Sequence, residues 1–244
     1  LVPMAGDDTT PEGEQVNIYG NHVGSWNFAA TAYLNRWKVK IYYEHYFDDH
    51  SQMFFQYGRW KDGHIGLEIT FPKNRFIDTF VYEGLGTKDQ TGPMLYDSFW
   101  GEFEEQISAK DNYYNHYLYQ GWQHWGMGIG NPLLPGPIYN KNGQITFISN
   151  RVLAHHIGFC GSPYQSLSYR MLLSYSRHWG TYDNPLNEIK KQFNSLFEVT
   201  YAPQQLKGWS FTVSGAMDRG NLLGNNYGGM LVIRKQGIIK SGNK

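Results

Sequence analysis

Apolar and polar residues alternate one by one along much of the chain after Gly20, and this period of two predicts β-strands. Val39, Ile41 and Tyr43 stand against Lys38, Lys40, Tyr42 and Glu44, and Ile65, Leu67, Ile69 and Phe71 against His64, Gly66, Glu68 and Thr70. The same two-faced pattern returns with Tyr169, Met171, Leu173 and Tyr175, with Phe193, Phe197, Val199 and Tyr201, and with Trp209, Phe211, Val213 and Met217. About nine strands are predicted, at 20–33, 38–47, 63–71, 76–85, 144–160, 167–179, 192–202, 208–218 and 228–237. Two orientations stay open. Asp78 shares a face with Phe76, Phe80 and Tyr82, and 229–234 is apolar on both faces.

The connections between these strands alternate in length. Leu34 to Trp37, Pro72 to Arg75, Ser162 to Ser166 and Pro203 to Gly208 are short turns, whereas 48–62, 86–144, 180–191 and 219–227 read as long loops. Short turns at one end and long loops at the other are the habit of a bacterial membrane barrel, with short periplasmic turns and long extracellular loops. The expected fold is therefore all-β, an antiparallel up-and-down transmembrane β-barrel in the outer membrane, in contact with its lipid. Single-chain bacterial barrels close with an even strand number. An odd count thus predicts a partial barrel, with an odd number of strands preceding it and with 1–13 as the remnant of an extracellular loop. One domain is expected over 1–244, with 86–143 as the long extracellular loop.

Composition sharpens this picture. The 244 residues carry 41% hydrophobic and 17% aromatic residues, yet the mean hydropathy is -0.54, too polar for a bundle of membrane helices. No stretch approaches the roughly 18 to 20 apolar residues that a membrane-spanning helix needs. The 21 basic and 21 acidic residues cancel, so no electrostatic footprint for nucleic acid is present. Cys160 is the single cysteine, which excludes a disulfide framework within the chain and reads as a small apolar filler.

Three segments carry a resemblance. Tyr82-Glu83-Gly84-Leu85-Gly86-Thr87-Lys88-Asp89-Gln90-Thr91-Gly92-Pro93, Asp111-Asn112-Tyr113-Tyr114-Asn115-His116, and Tyr175 to Pro185 occur in that order. Together they resemble the Wzi capsule-assembly family of outer-membrane proteins, in the form found in Bacteroidetes. The resemblance implies an exported barrel of about eighteen strands, of which this chain corresponds to the C-terminal half. It also implies glycan binding that tethers capsular polysaccharide to the cell surface, without enzymatic chemistry. No short ligand motif of the family maps onto this sequence.

The long loop is where a ligand is expected, because loops of such length are functional or disordered and this one is too aromatic to stay unfolded in water. Tyr96, Asp97, Trp100, Asn112, Tyr113, His116, Trp122, Gln123 and Trp125 combine aromatic faces with hydrogen-bonding side chains, the pairing that sugar recognition requires. The competing reading is that the aromatics form the core of the loop and the interfacial girdle. Lys40, Glu44, Glu68, Arg170, Glu198 and Asp218 are expected on the polar face as a lattice of paired charges. No cofactor and no metal are expected: His155 and His156 point to opposite faces of a strand, Asp48-Asp49-His50 lacks the spacing of a calcium loop, and Gly126 to Pro132 lacks the Lys-Ser/Thr of a phosphate cradle. Two other functions compete, a solute channel gated by the long loop and an outer-membrane hydrolase using a Ser and His brought together by folding. Other outer-membrane proteins are possible partners.

Overall fold

The computed structural model describes residues 23–47, 62–74, 76–90, 110–115 and 122–237. They form eleven strands: β1 (Gly24–Leu34), β2 (Trp37–Phe47), β3 (Gly63–Thr70), β4 (Thr79–Gly86), β5 (Gln123–His124), β6 (Met127–Gly128), β7 (Val152–Tyr164), β8 (Leu167–Gly180), β9 (Pro185–Tyr201), β10 (Trp209–Gly220) and β11 (Asn226–Lys235). Nine make one antiparallel sheet in the order β1-β2-β3-β4-β7-β8-β9-β10-β11, a meander in which every strand pairs with its neighbours in sequence. The outer edges of β1 and β11 pair with nothing among the described residues, so the sheet is open. β5 and β6 form a separate ribbon within the long connection.

The all-β antiparallel character and the nine main strands follow the sequence pattern, and the largest differences lie at the strand ends. Residues 144–151, expected as strand, are irregular, and β7 begins at Val152. Residues 180–191, expected as a long loop, mostly belong to β8 and β9. Pro185 pairs with Gly180 and Lys191 with Arg177, which leaves only 181–184 as the turn. Polar composition concealed strand there, because the hairpin continues with polar side chains on both faces. The last loop-end connection likewise shrinks to 221–225. The contrast in length between the two ends therefore holds for 48–62 and 87–151 but not for the C-terminal hairpins.

Turn geometry starts from local chemistry. Asn35 and Arg36 hold φ of 46° and 74°, the pair of positive values that a two-residue type I′ turn needs to match the twist of its strands. Asn74 organises the β3–β4 turn by accepting from the backbone N–H of Phe76 and Ile77 at 2.8 Å each. That turn keeps 76–78 out of β4. Asp78 then leaves the strand pattern, and its carboxylate accepts from Ser162 Oγ at 2.9 Å.

Cross-strand register sorts the side chains into two faces. Lys40, Glu44, Glu68, Arg170, Glu198 and Asp218 all fall on one, as expected for the charge lattice. Arg170 Nη2 lies 2.8 Å from Glu198 Oε1, and Lys38 Nζ lies 3.9 Å from Glu68 Oε1. The opposite face is apolar on every strand, with Phe28, Ile41, Ile65, Tyr82, Ile157, Tyr175, Phe197, Val213 and Leu231 all exposed. Among the described residues its only Lys and Arg side chains, Arg177, Lys191, Arg219 and Lys235, stand at its two ends, and no Asp or Glu stands on it. Aromatic rings gather toward the same ends: Trp26, Tyr175 and Tyr227 near the loops, and Trp37 against Phe71, Tyr201, and Trp209 stacked on Phe211 near the turns.

The small buried core sits on the polar face at the loop end. Leu85, Val152 and Ala154 from the sheet meet Tyr113, Tyr114, Leu134 and Phe147 from the long connection. The chain therefore covers part of its polar face and leaves most of the apolar face exposed, apart from His45 and Phe47, which are buried at the loop end of β2, whereas a sheet with one face in water covers its apolar face.

Candidate functional site

The long connection folds into a cap because its polar side chains close hydrogen bonds that its irregular backbone leaves open. Asn115 Oδ1 accepts from Phe147 N at 2.7 Å and its Nδ2 donates to Phe147 O at 2.8 Å. Asn150 Nδ2 donates to Asn112 Oδ1 and to Tyr113 O, both at 2.7 Å. Asn140 Nδ2 donates to the carbonyls of Gln144 and Thr146 at 2.7 Å each. Amide side chains thus substitute for a missing strand partner.

Asp62, just ahead of β3, anchors this cap and was not legible in the sequence. Its carboxylate accepts from the backbone N–H of Asp89 at 2.9 Å and Gln90 at 2.5 Å, and from Tyr113 Oη at 3.0 Å. Burial pushes its pKa from 3.8 up to about 6, although these three donors act the other way. Thr87 Oγ1 donates to Asn150 O at 2.6 Å, and the Arg151 guanidinium lies 3.8 Å from the centre of the Tyr182 ring. The cap is thereby tied to β4, β7 and the β8–β9 turn.

The residues singled out for ligand contact divide into three groups. Tyr96, Asp97, Trp100 and His116 lie outside the described residues, as does Asp48-Asp49-His50. Tyr113 is buried and Trp122 half-buried, both packed within or against the cap core. Gln123 is half-buried in β5, paired with Gly128. Asn112 and Trp125 reach the surface. Asn112 Nδ2 donates to Asp183 at 3.2 Å and lines a cleft of about 540 Å³ with Asn115, Gln144, Thr146, Thr181, Asn184 and Leu186. Among the described residues no charged side chain lines it. Thr181 and Asn184, missed in the sequence, are placed by the short β8–β9 turn, where Thr181 Oγ1 accepts from Asn184 N at 2.9 Å.

Trp125 is the least ordinary residue of the cap. It occupies the tip of the β5–β6 ribbon with φ of 53°, followed by Gly126 at 76°, and its side chain is 84% exposed. A bulky side chain in the left-handed region costs about 1 to 2 kcal/mol, and this one recovers nothing by burial. Ile138 N donates to Gly126 O at 2.8 Å, which ties the tip to the turn at 137–139.

His155 and His156 do face opposite ways: His155 Nδ1 meets Tyr82 Oη at 2.8 Å on the apolar face, and His156 Nδ1 meets Ser174 Oγ at 2.7 Å on the polar one. Among the described residues no three His, Cys, Asp or Glu side chains converge as metal ligands. Cys160 is half-buried on the polar face beside Thr79 and Arg170, not in an apolar core. No protein-family model matches the chain, and no curated protein matches it in sequence.

Proposed function

We propose that the chain is part of an outer-membrane β-barrel that holds surface polysaccharide at its loop end without enzymatic chemistry. The observation that carries the membrane reading is the inverted sheet. Its apolar face presents exposed apolar side chains on every strand, although His45 and Phe47 are buried at the loop end of β2; among the described residues it is free of Lys, Arg, Asp and Glu between its ends and edged by aromatic rings, which is the pattern of a lipid-facing barrel wall. A soluble protein seldom exposes an apolar patch beyond a few hundred Å². The open edges of β1 and β11 suit a sheet that continues into further strands.

Glycan binding is supported by the strained, exposed Trp125 and, separately, by the cleft of the cap, whose described lining combines amides and hydroxyls with apolar side chains. Backbone strain retained at an exposed position points to function, and an indole face suits the C–H surface of a sugar ring. The resemblance of three segments to capsule-assembly barrels agrees with this reading. Packing of the cap on the polar face counts against a freely open channel. The hydrolase reading lacks support around Ser174 and His156, where the neighbouring backbone N–H groups are spent in the strand ladders and leave no oxyanion donors.

The test is genetic. A strain lacking the protein should shed its capsule, wild-type protein should restore retention, and Trp125→Asn should reach the membrane at normal levels without restoring it. Normal cell-bound capsule in the deletion strain would overturn the proposal.

A further inference from the structure

The polar face of the sheet carries a feature that the loop-end reading does not use. One register row runs Ala29, Tyr42, Gly66, Glu83, His156, Ser174, Asn194, Asp218 and Asn226, one residue from each strand. The row beside it is apolar through Val81, Gly158, Leu172, Leu196 and Ala216. The row after that returns to polar character with Thr79, Cys160, Arg170 and Glu198. An apolar stripe thus lies between two polar rims in the middle of an otherwise polar face.

A cavity of about 310 Å³ opens on this stripe, with Val81, Gly158 and Leu172 as its floor, Glu83, His156 and Ser174 along one rim, and Thr79 and Arg170 along the other. Its size matches the lower end of small-molecule sites. Gly158 makes the floor flat, since a Cβ there would come within 3.1 Å of Leu172 Cδ2. The rims are already balanced in charge. Glu83 accepts from Tyr42 Oη and lies 3.5 Å from His64 Nε2, and Arg170 is held by Glu198. A ligand with a full charge would meet no uncompensated partner.

We infer that this cavity is a second ligand site, on the polar face below the cap, for one neutral pyranose ring. The ring's C–H face would lie on Val81, Gly158 and Leu172. Its hydroxyls would exchange hydrogen bonds with Glu83, His156 and Ser174 on one side and Thr79 and Arg170 on the other. The inference rests on the sheet itself and does not require the cap to bind polysaccharide.

Cys160, the single cysteine of this sequence, lines the same cavity and serves as a reporter. In the full protein in detergent, the rate at which a small water-soluble methanethiosulfonate labels Cys160 would be followed by mass spectrometry. At about 50 mM methyl glucoside, galactoside or mannoside, which fills a site of millimolar affinity, at least one should slow labelling by more than about fivefold. Sodium glucuronate should not. Ser174→Val should remove most of the protection, measured as the ratio of its labelling rates with and without sugar. Should that variant fail to fold, Leu172→Ala, which removes half of the floor, gives the same reading. Trp125→Asn should keep full protection, so failure at the cap and failure here are distinguishable. Labelling unaffected by all three glycosides, protection by glucuronate equal to theirs, or protection that survives both Ser174→Val and Leu172→Ala would overturn the inference.

Discussion

Asn115 and Phe147 hold each other by a reciprocal pair of hydrogen bonds, in which one side-chain amide replaces the backbone of an absent neighbouring strand. The geometry needs both a donor and an acceptor on the same side chain. Asn115→Asp keeps the acceptor and sets a carboxylate against the Phe147 carbonyl, and Asn115→Leu removes both. Each should cost about 1 to 3 kcal/mol of cap stability. Amide hydrogen exchange over 144–150 should accelerate accordingly, with the sheet protected as before.

Gly66 lies under the Tyr42 ring as that side chain reaches across β3 to Glu83, and a Cβ on Gly66 would collide with the ring. Gly66→Ala should therefore destabilise by about 1 to 3 kcal/mol through overpacking and the displaced hydrogen bond. Combining it with Tyr42→Ala should recover at least about 1 kcal/mol of that loss in a double-mutant cycle by urea unfolding. Additive costs would show that the ring and the glycine are independent.

Asp62 makes the cap sensitive to pH. Its pKa in the docked cap lies above the ordinary 3.8, at about 6, so the protonated form favours docking. This contribution is present in full below about pH 4 and is lost as pH rises through about 6, a change on the order of 3 kcal/mol at most. Protection of the Asp89 and Gln90 amides, corrected for intrinsic exchange, should be greater at about pH 5 than at about pH 7.5. In Asp62→Asn the two protections should agree.

Two tight turns place a non-glycine residue at positive φ for different reasons. Arg36 closes the β1–β2 turn at φ 74°, and Arg36→Gly should raise stability by up to about 1 kcal/mol with glycan retention unchanged. Trp125→Gly should also stabilise its ribbon, yet it should abolish retention. Thermal unfolding and capsule retention of the two variants, measured side by side, separate strain held for function from strain that is incidental.

The sheet was legible because its faces differ. The period of two placed Lys40, Glu44, Glu68, Arg170, Glu198 and Asp218 on one face from sequence alone, and register confirms each of them. The hairpin at 185–191 was hidden because neither of its faces is apolar, and Phe76 was misassigned because the Asn74 turn overrides the local pattern. The cap was legible only as aromatic content. Which rings become core, as Tyr113 does, and which stay exposed, as Trp125 does, depends on contacts with β4 and β7 that no local window contains. Asp62 escaped notice because one carboxylate beside a glycine carries no signal until its three donors are brought to it.

The central claim, that the exposed apolar face meets lipid, is tested most directly by spin labels placed one at a time from Phe211 to Ala216 in the protein reconstituted into bilayers. The account predicts an alternation of period two: labels at Phe211, Val213 and Gly215 relaxed by oxygen from the lipid phase, and labels at Thr212, Ser214 and Ala216 relaxed by a water-soluble nickel chelate. Uniform exposure to the chelate on both faces, or an apolar face shielded from both reagents, would contradict it.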